Sequence, residues 1–522
     1  MRSLKTCLWI LMAAALSACG VNPVTGDKEI QFVSEAQEVK MGEQYYAPTR
    51  QSEGGDFTVM PELTDYVNEV GQKLAAVADR KLPYEFVVLN SSVPNAWALP
   101  GGKIAVNRGL LTELQNEAEL AAVLGHEIVH AAARHGAKAQ ERGTLLQVGM
   151  AAAQIGAAIG GVDQNTANLA IQGAGVGAQM IQQKYSREQE LDGDRYGMKY
   201  MKAAGYDPWG AVTLQETFVR LSESGAKKQG WLEGLFASHP PSAERVAQNR
   251  LAAEQLGRGG ELGAERYAAR MKPLRAIKPA YDKYDKAIAA ARRKDFASAR
   301  SLTGEAIQLL PREGRFHELL GELALAEKNP GAAIQHYQNA MALNPGYFGS
   351  WLGGGVAQLQ GGNKAKAEEW LNRSVELLPT APAAYYLGNI ARDRGDGARA
   401  MSYYRAAAKS SSPIGQAAAV EVGRMDLPQN PGNYVTAKGQ FDAQGRLYAV
   451  VGNRAPVALR DVQLTPVLVN NAGRVVQQGS PLRLRGTLAP GAQTAVPAGV
   501  GGIAREQLPY VRFHVDGARV AE

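Results

Sequence analysis

The stretch GHEIVHAAARHG, residues 125–136, gathers three of the chain's seven histidines into twelve positions. His126, Glu127 and His130 form the pattern H-E-x-x-H, which places two imidazoles and a carboxylate on one helix. Four residues advance about 400°, so His126 and His130 stack on one face roughly one turn apart. Imidazoles so placed can share a tetrahedral zinc at ~2.0–2.1 Å. Glu127 lies about 100° round from His126, too far to be a third ligand but able to reach a water on the metal. His135, nine positions after His126, falls about 180° round and is excluded from the site on that geometry. Taken alone, the three residues could also be ordinary members of a helix surface. Catalysis by zinc needs a third protein ligand and one position left open.

YSREQELDGDRYG, residues 185–197, supplies candidates for that ligand. Glu190 and Asp194 stand four apart, on one face of a second expected helix. One carboxylate can bind the metal while the other hydrogen-bonds a ligand imidazole and fixes its tautomer. By itself the stretch reads as a charged surface, with Arg187, Glu188 and Arg195 in exposed pairs of small energy. Following H-E-x-x-H, the metal reading takes precedence.

Five stretches then resemble, in order, a known family. They are NPVTGDKEIQFVSEAQEVKMG (22–42), VPNAWALPGGKIAVNRGLL (93–111), GHEIVHAAARHG, SREQELDGDRYG (186–197) and SHPPSAER (238–245). The chain resembles the BepA/LoiP/HtpX-like zinc metallopeptidases, an H-E-x-x-H gluzincin family related to the CAAX prenyl proteases. The likeness covers roughly half the chain. It implies one zinc ion per chain on His126, His130 and Glu190, with Glu127 as general base and Asp194 as the partner behind the ligands. It puts His239 near the metal on a loop that could cap the site; the other reading is a loop histidine held by Pro240 and Pro241. It assigns Arg245 to substrate binding or to the oxyanion. Gly193 stands where the family usually has alanine, which loosens the helix by about 0.5–1 kcal/mol and removes no ligand. Zinc held there would polarise the scissile carbonyl, while Glu127 moves a proton from water to the leaving amine. ALPGGKIAVN reads as a turn followed by an alternating strand, Lys103 to Asn107, whose edge is expected to hold extended substrate by strand addition.

The elements that must carry these residues form a multidomain chain. A mainly α metallopeptidase domain with a small β-sheet (α+β) is expected over 19–272. Its metal-binding helix should start near Thr112 or Asn116 and stop at Gly136. Downstream, Pro311, Pro345, Pro379 and Pro413 recur every 34 residues, the period of tetratricopeptide repeats. Ala306, Ala340, Ser374 and Ala408 stand five before each proline, and Ala299, Ala333, Ala367 and Met401 twelve before. An α-solenoid is therefore expected over 273–425. After a Pro/Asn/Gly linker, alternating runs divided by turns predict a small β-sandwich over 435–522.

Residues 1–18 read as a secretory signal peptide, and LSAC, ending at Cys19, resembles a bacterial lipobox in which that cysteine is lipidated. The expected location is the periplasm, with a lipid anchor in the outer membrane. Cys7 leaves with the signal, so no intrachain disulfide is available. The chain carries +7; removing 1–18, which holds Arg2 and Lys5 and no acidic residue, leaves +5. No basic tract suggests a nucleic-acid partner. Residues 143–178, rich in Gly and Ala, read as an amphipathic hairpin near the cleft rather than a membrane span. The function expected is a metalloendopeptidase acting on unfolded or misassembled outer-membrane proteins, its repeats recruiting clients or the outer-membrane assembly machinery. The competing expectation is a periplasmic chaperone or scaffold with a vestigial or occluded site.

Overall fold

The computed structural model describes residues 19–138, 185–223 and 239–521. The signal peptide expected at 1–18 and the Gly-rich hairpin expected at 143–178 lie outside the described residues. The chain divides into two compact units that part between Pro379 and Thr380. Among the described residues no helix is long and apolar enough to cross a membrane.

The first unit opens with a short hairpin, β1 (Cys19–Val21) against β2 (Lys28–Ile30). Helix α1 (Glu35–Ser52) follows, started by a capping box between Ser34 and Gln37. Helix α2 (Pro61–Ala75) turns Val67, Val70 and Leu74 into the core. Three strands, β3 (Glu85–Leu89), β4 (Ala96–Leu99) and β5 (Lys103–Asn107), make a sheet of order β3-β5-β4. β3 runs parallel to β5 and β4 antiparallel to it. The tight turn between β4 and β5 is possible because Gly101 and Gly102 adopt φ of 79° and 85°.

This sheet corrects one expectation. β5 has strands on both sides and every residue buried, so it offers no edge and shows no alternation. Among the described residues β4 has no partner on its outer side, whereas the end of β3 is bridged there by Asp56 at Leu89.

After the short helix α3 (Arg108–Glu113) comes α4 (Glu117–Ala132), buried along its whole length. Asn116 caps it, its side chain accepting from the Glu119 amide. Glu117 anchors the first turn, accepting from the Tyr66 and Tyr206 hydroxyls at 2.7 and 2.8 Å and from Arg266 at 2.6 Å. The helix ends at Ala132 rather than Gly136: Ala133 is the C-cap and Arg134 takes a left-handed φ of 62°. Helices α5 (Arg187–Ala203) and α6 (Trp209–Glu223) pack on α4, and α7 (Ala243–Leu256) packs on both of them. Gly125 and Gly197 lie at the α4–α5 crossing, where a Cβ on either would sit 3.1 Å from the other's backbone. Two missing side chains let the helices approach closely enough for α5 to reach the histidines.

Long helix α8 (Ala264–Arg292) leads into helical hairpins made by α9 (Phe296–Leu309), α10 (Gly314–Ala326), α11 (Pro330–Leu343), α12 (Phe348–Gln360) and α13 (Lys364–Leu377). Ala299, Ala306, Ala333, Ala340, Ala367 and Ser374 are fully buried at the helix crossings, as their spacing demands. Gln51 on α1 clasps the turn before α12, donating to Gly346 O at 2.8 Å and accepting from Phe348 N at 2.9 Å.

The second unit holds helices α14 (Ala381–Asp393), α15 (Gly397–Ala407) and α16 (Pro413–Asp426) and then seven strands. In α15 the fully buried small residues are Ala400 and Ala407, each one before the positions the 34-residue period assigns to Met401 and Ala408. Strands β6 (Val435–Phe441), β7 (Leu447–Asn453) and β11 (Gln493–Pro497) form one antiparallel sheet. β8 (Leu459–Val469), β9 (Val475–Gln478), β10 (Leu482–Arg483) and β12 (Val511–Val520) form another. Val435 and Val451 of the first share an apolar cluster with Val462 and Leu464 of the second.

Candidate active site

His126, Glu127 and His130 project from α4, Glu190 and Asp194 from α5, and His239 from the loop before α7. All six are buried, none more than 7% exposed. One atom each of His126, His130, Glu190 and His239 lies within 4.8 Å of all the others. His126 Nε2 is 3.0 Å from His130 Nε2 and 3.2 Å from His239 Nδ1. Glu190 Oε1 is 2.9 Å from His239 Nδ1 and 3.5 Å from His130 Nε2. A tetrahedron with arms of ~2.0–2.1 Å has edges of roughly 3.3–3.4 Å, so these spacings suit one zinc-sized ion. The donor set, three imidazoles and a carboxylate, suits the same metal. With four protein atoms at the corners, the arrangement is closed.

Behind the cluster, His126 Nδ1 stands 2.9 Å from Asp194 Oδ1. Arg245 grips the same carboxylate with two hydrogen bonds, at 2.8 and 2.7 Å, and its Nη1 lies 2.8 Å from Glu190 Oε2. Burial alone would raise the Asp194 carboxyl, but Arg245 and then His126 hold it below its ordinary value. Glu190, likewise desolvated, is kept well below the carboxylate range by His239 and His126. His130 is pushed down to about 3 by burial. Glu127 goes the other way: burial raises it, and the nearby histidines offset only part of that. Its Oε1 lies 3.5 Å from His239 Nε2, while Oε2 is buried with no hydrogen-bond partner among the described residues. An unpaired buried carboxylate oxygen beside a metal-ligating cluster is what a proton-accepting group needs.

An apolar cavity opens beside these groups, lined by Val123, Met198, Leu214 and Phe218 together with Ala96 of β4. The strand with the open side therefore borders the cleft.

Two neighbours carry no role in the sequence reading. Tyr185 stacks on His130, centroids 3.8 Å apart and planes within 14°. Its position just before the SREQE motif is the signal that could have found it. His135 is the second: its Nδ1 is 2.7 Å from His130 Nδ1 and its ring is 1% exposed. His135 is not among the four residues that converge, but helical angle does not explain its place, because the helix has already ended at Ala132. Gly193 does more than loosen α5, since a Cβ there would lie 2.6 Å from the His126 ring.

Comparison with known proteins agrees with this geometry. A model of peptidase family M48 matches residues 61–253, and tetratricopeptide-repeat models match 284–348 and 324–389. The beta-barrel assembly-enhancing protease of Yersinia pestis is 26% identical over 396 residues, 71% of this chain and 80% of that protein. Its namesake in Escherichia coli K12 is 26% identical over 450 residues, 77% of this chain and 89% of the relative. Metalloprotease YcaL of the same strain is 30% identical over 189 residues, 35% of this chain and 70% of the relative. The cluster and the residues that back it all lie inside the matched segment, and the chain belongs to peptidase family M48, as a metalloendopeptidase that also carries tetratricopeptide repeats.

Proposed function

We propose that the protein is a zinc endopeptidase of the bacterial envelope that cleaves unfolded or misassembled outer-membrane proteins. The observation that carries the catalytic reading is the near-tetrahedral set of His126, His130, Glu190 and His239 with Glu127 beside it. In this reading the first three hold the metal, Asp194 orients His126, and His239 caps the remaining corner. Zinc, when bound, supplies a Lewis acid that polarises the scissile carbonyl and acidifies water. Glu127 takes the proton of the attacking water at its free Oε2 and returns it to the leaving amide nitrogen. Its raised proton affinity suits a group that must both accept and give. Arg245, gripped by Asp194 and close to Glu190, keeps both carboxylates ionised and in place. His239 has to withdraw before substrate can reach the fourth corner. Extended peptide would then pair with β4, which favours unfolded chains over a tight sequence code.

The envelope part rests on the lipobox and on the names of the relatives. Lipid on Cys19 would leave almost no tether: three residues on, Asn22 donates to Ala133 O at 3.3 Å, just past the metal-binding helix. The catalytic part over 19–272 would thus ride close to the periplasmic face of the outer membrane. The repeats over 273–425 would recruit clients or the assembly machinery, and the strand-rich module over 435–522 would serve docking. The closed fourth corner favours one further reading, a chaperone or scaffold whose site stays shut.

Zinc content and casein hydrolysis by the full chain and by Glu127→Gln separate the two. Glu127→Gln is expected to keep its zinc, lose about 10²–10⁴-fold in rate, and retain bound clients. Wild-type rates in that variant would remove Glu127 from the mechanism. Zinc-loaded wild type with no hydrolysis of any unfolded protein would leave the scaffold.

A further inference from the structure

The ligand imidazoles are backed differently. His126 presents Nδ1 to a carboxylate, Asp194, at 2.9 Å, whereas His130 presents Nδ1 to another ring nitrogen, His135 Nδ1, at 2.7 Å. We propose that His135 is a positioning residue for His130: it accepts the Nδ1–H hydrogen bond and so keeps the lone pair of His130 on Nε2, the atom that faces the cluster. The proposal rests on His130 being a metal ligand.

Two neutral ring nitrogens this close need one proton between them, carried by one and accepted by the other. His130 Nε2 points at His126 Nε2, 3.0 Å away, and at Glu190 Oε1, 3.5 Å away, so it is the nitrogen that must stay bare. The proton then belongs on His130 Nδ1, and His135 Nδ1 has to be the acceptor. Water does not compete for that bond, because both rings are 1% exposed.

The backbone is built to hold His135 there. Arg134 takes its left-handed φ of 62° immediately before it, turning the chain back along the end of α4. Its guanidinium is fixed by the fully buried Glu38 and by the carbonyl of Val33. Arg80, paired with the same Glu38 at 2.9 Å, also reaches Ala131 O at 3.4 Å. Tyr185 closes the other side, stacked on His130 and 6.1 Å from the His135 ring. The histidine left out by helical angle is thus brought to the back of the ligand by the turn that ends the helix.

The test uses the full chain carrying His135→Asn, His135→Gln and His135→Leu. Zinc affinity is read by competition with a chelator, and folding by the melting of the metal-free protein. Asn places an acceptor oxygen where His135 has Nδ1 and is expected to hold zinc within about threefold of wild type. Gln puts its oxygen one atom too far, and Leu has none. Both should lose about 10–100-fold, the usual worth of an outer hydrogen-bond partner. A packing role predicts the opposite order, with Leu best and Asn worst. Leu equal to wild type, or Asn as weak as Gln, overturns the proposal. If Leu fails to fold, the Asn–Gln pair decides. A wild-type chain that binds no zinc would instead refute the metal reading itself.

Discussion

His239→Ala is the perturbation that tests the closed corner. In the closed arrangement His239 Nδ1 lies 2.9 Å from Glu190 Oε1, and the ring is 5% exposed. With zinc bound, opening the corner exchanges the His239 nitrogen for water, a net difference on the scale of one charge-assisted contact, about 1.5–3 kcal/mol. At ~1.4 kcal/mol per factor of ten, the closed form outweighs the open one by roughly 10- to 150-fold. Substrate that binds only the open form sees its affinity reduced by that fraction, so removing the cap should raise kcat/KM by about the same ratio. The assay is hydrolysis of unfolded casein by wild type and variant, both at saturating zinc and with metal content measured. A zinc-loaded His239→Ala protein no faster than wild type would refute the reasoning. A slower one would make His239 a contributor to the reaction, not its cap.

Two further outcomes concern stability. Glu117→Ala strands the hydroxyls of Tyr66 and Tyr206, which are 3% and 2% exposed. At ~1–3 kcal/mol for each orphaned group the cost is about 2–6 kcal/mol in urea unfolding, and a loss below ~1 kcal/mol would contradict it. Glu322, on α10, is pushed up to about 7 from 4.5 by burial and then by Glu318. Its folded pKa lies above the unfolded one, so stability is full below pH 4.5 and falls as pH rises to about 7. Because Glu322 is nonetheless exposed to solvent at the surface, screening leaves about 1 kcal/mol or less of that effect. Glu322→Gln should flatten the slope between those pH values, as read from melting temperature, and an unchanged slope would dismiss the residue.

Much of the site could be read in the chain because short-range geometry dictates it. Four-residue spacing on a helix puts His126 with His130, and Glu190 with Asp194, on common faces whatever surrounds them. The 34-residue period likewise carries the hairpins, since small residues must recur where helices cross. That logic reached its limit in the last repeat, where Ala400 and Ala407 rather than Met401 and Ala408 are buried.

Other features depend on where separate segments meet. Which strand is an edge is a property of the sheet: the pattern of residues 103–107 cannot reveal that β3 and β4 flank it on both sides. The role of Arg245 depends on α7 lying against α5, which turns the guanidinium onto Asp194 and Glu190. The place of His135 could not be counted by angle, which holds only while the helix continues, and the helix ends at Ala132, three positions before it, with Arg134 left-handed between them. Residue types and their periodicity thus paired His126 with His130 and Glu190 with Asp194 and gave the elements that carry them, while the choice of Glu190 and the place of His239 came from the family resemblance. Only tertiary packing decided how those donors converge, because helix ends, strand neighbours and buried ion pairs arise from contacts between segments far apart in the chain.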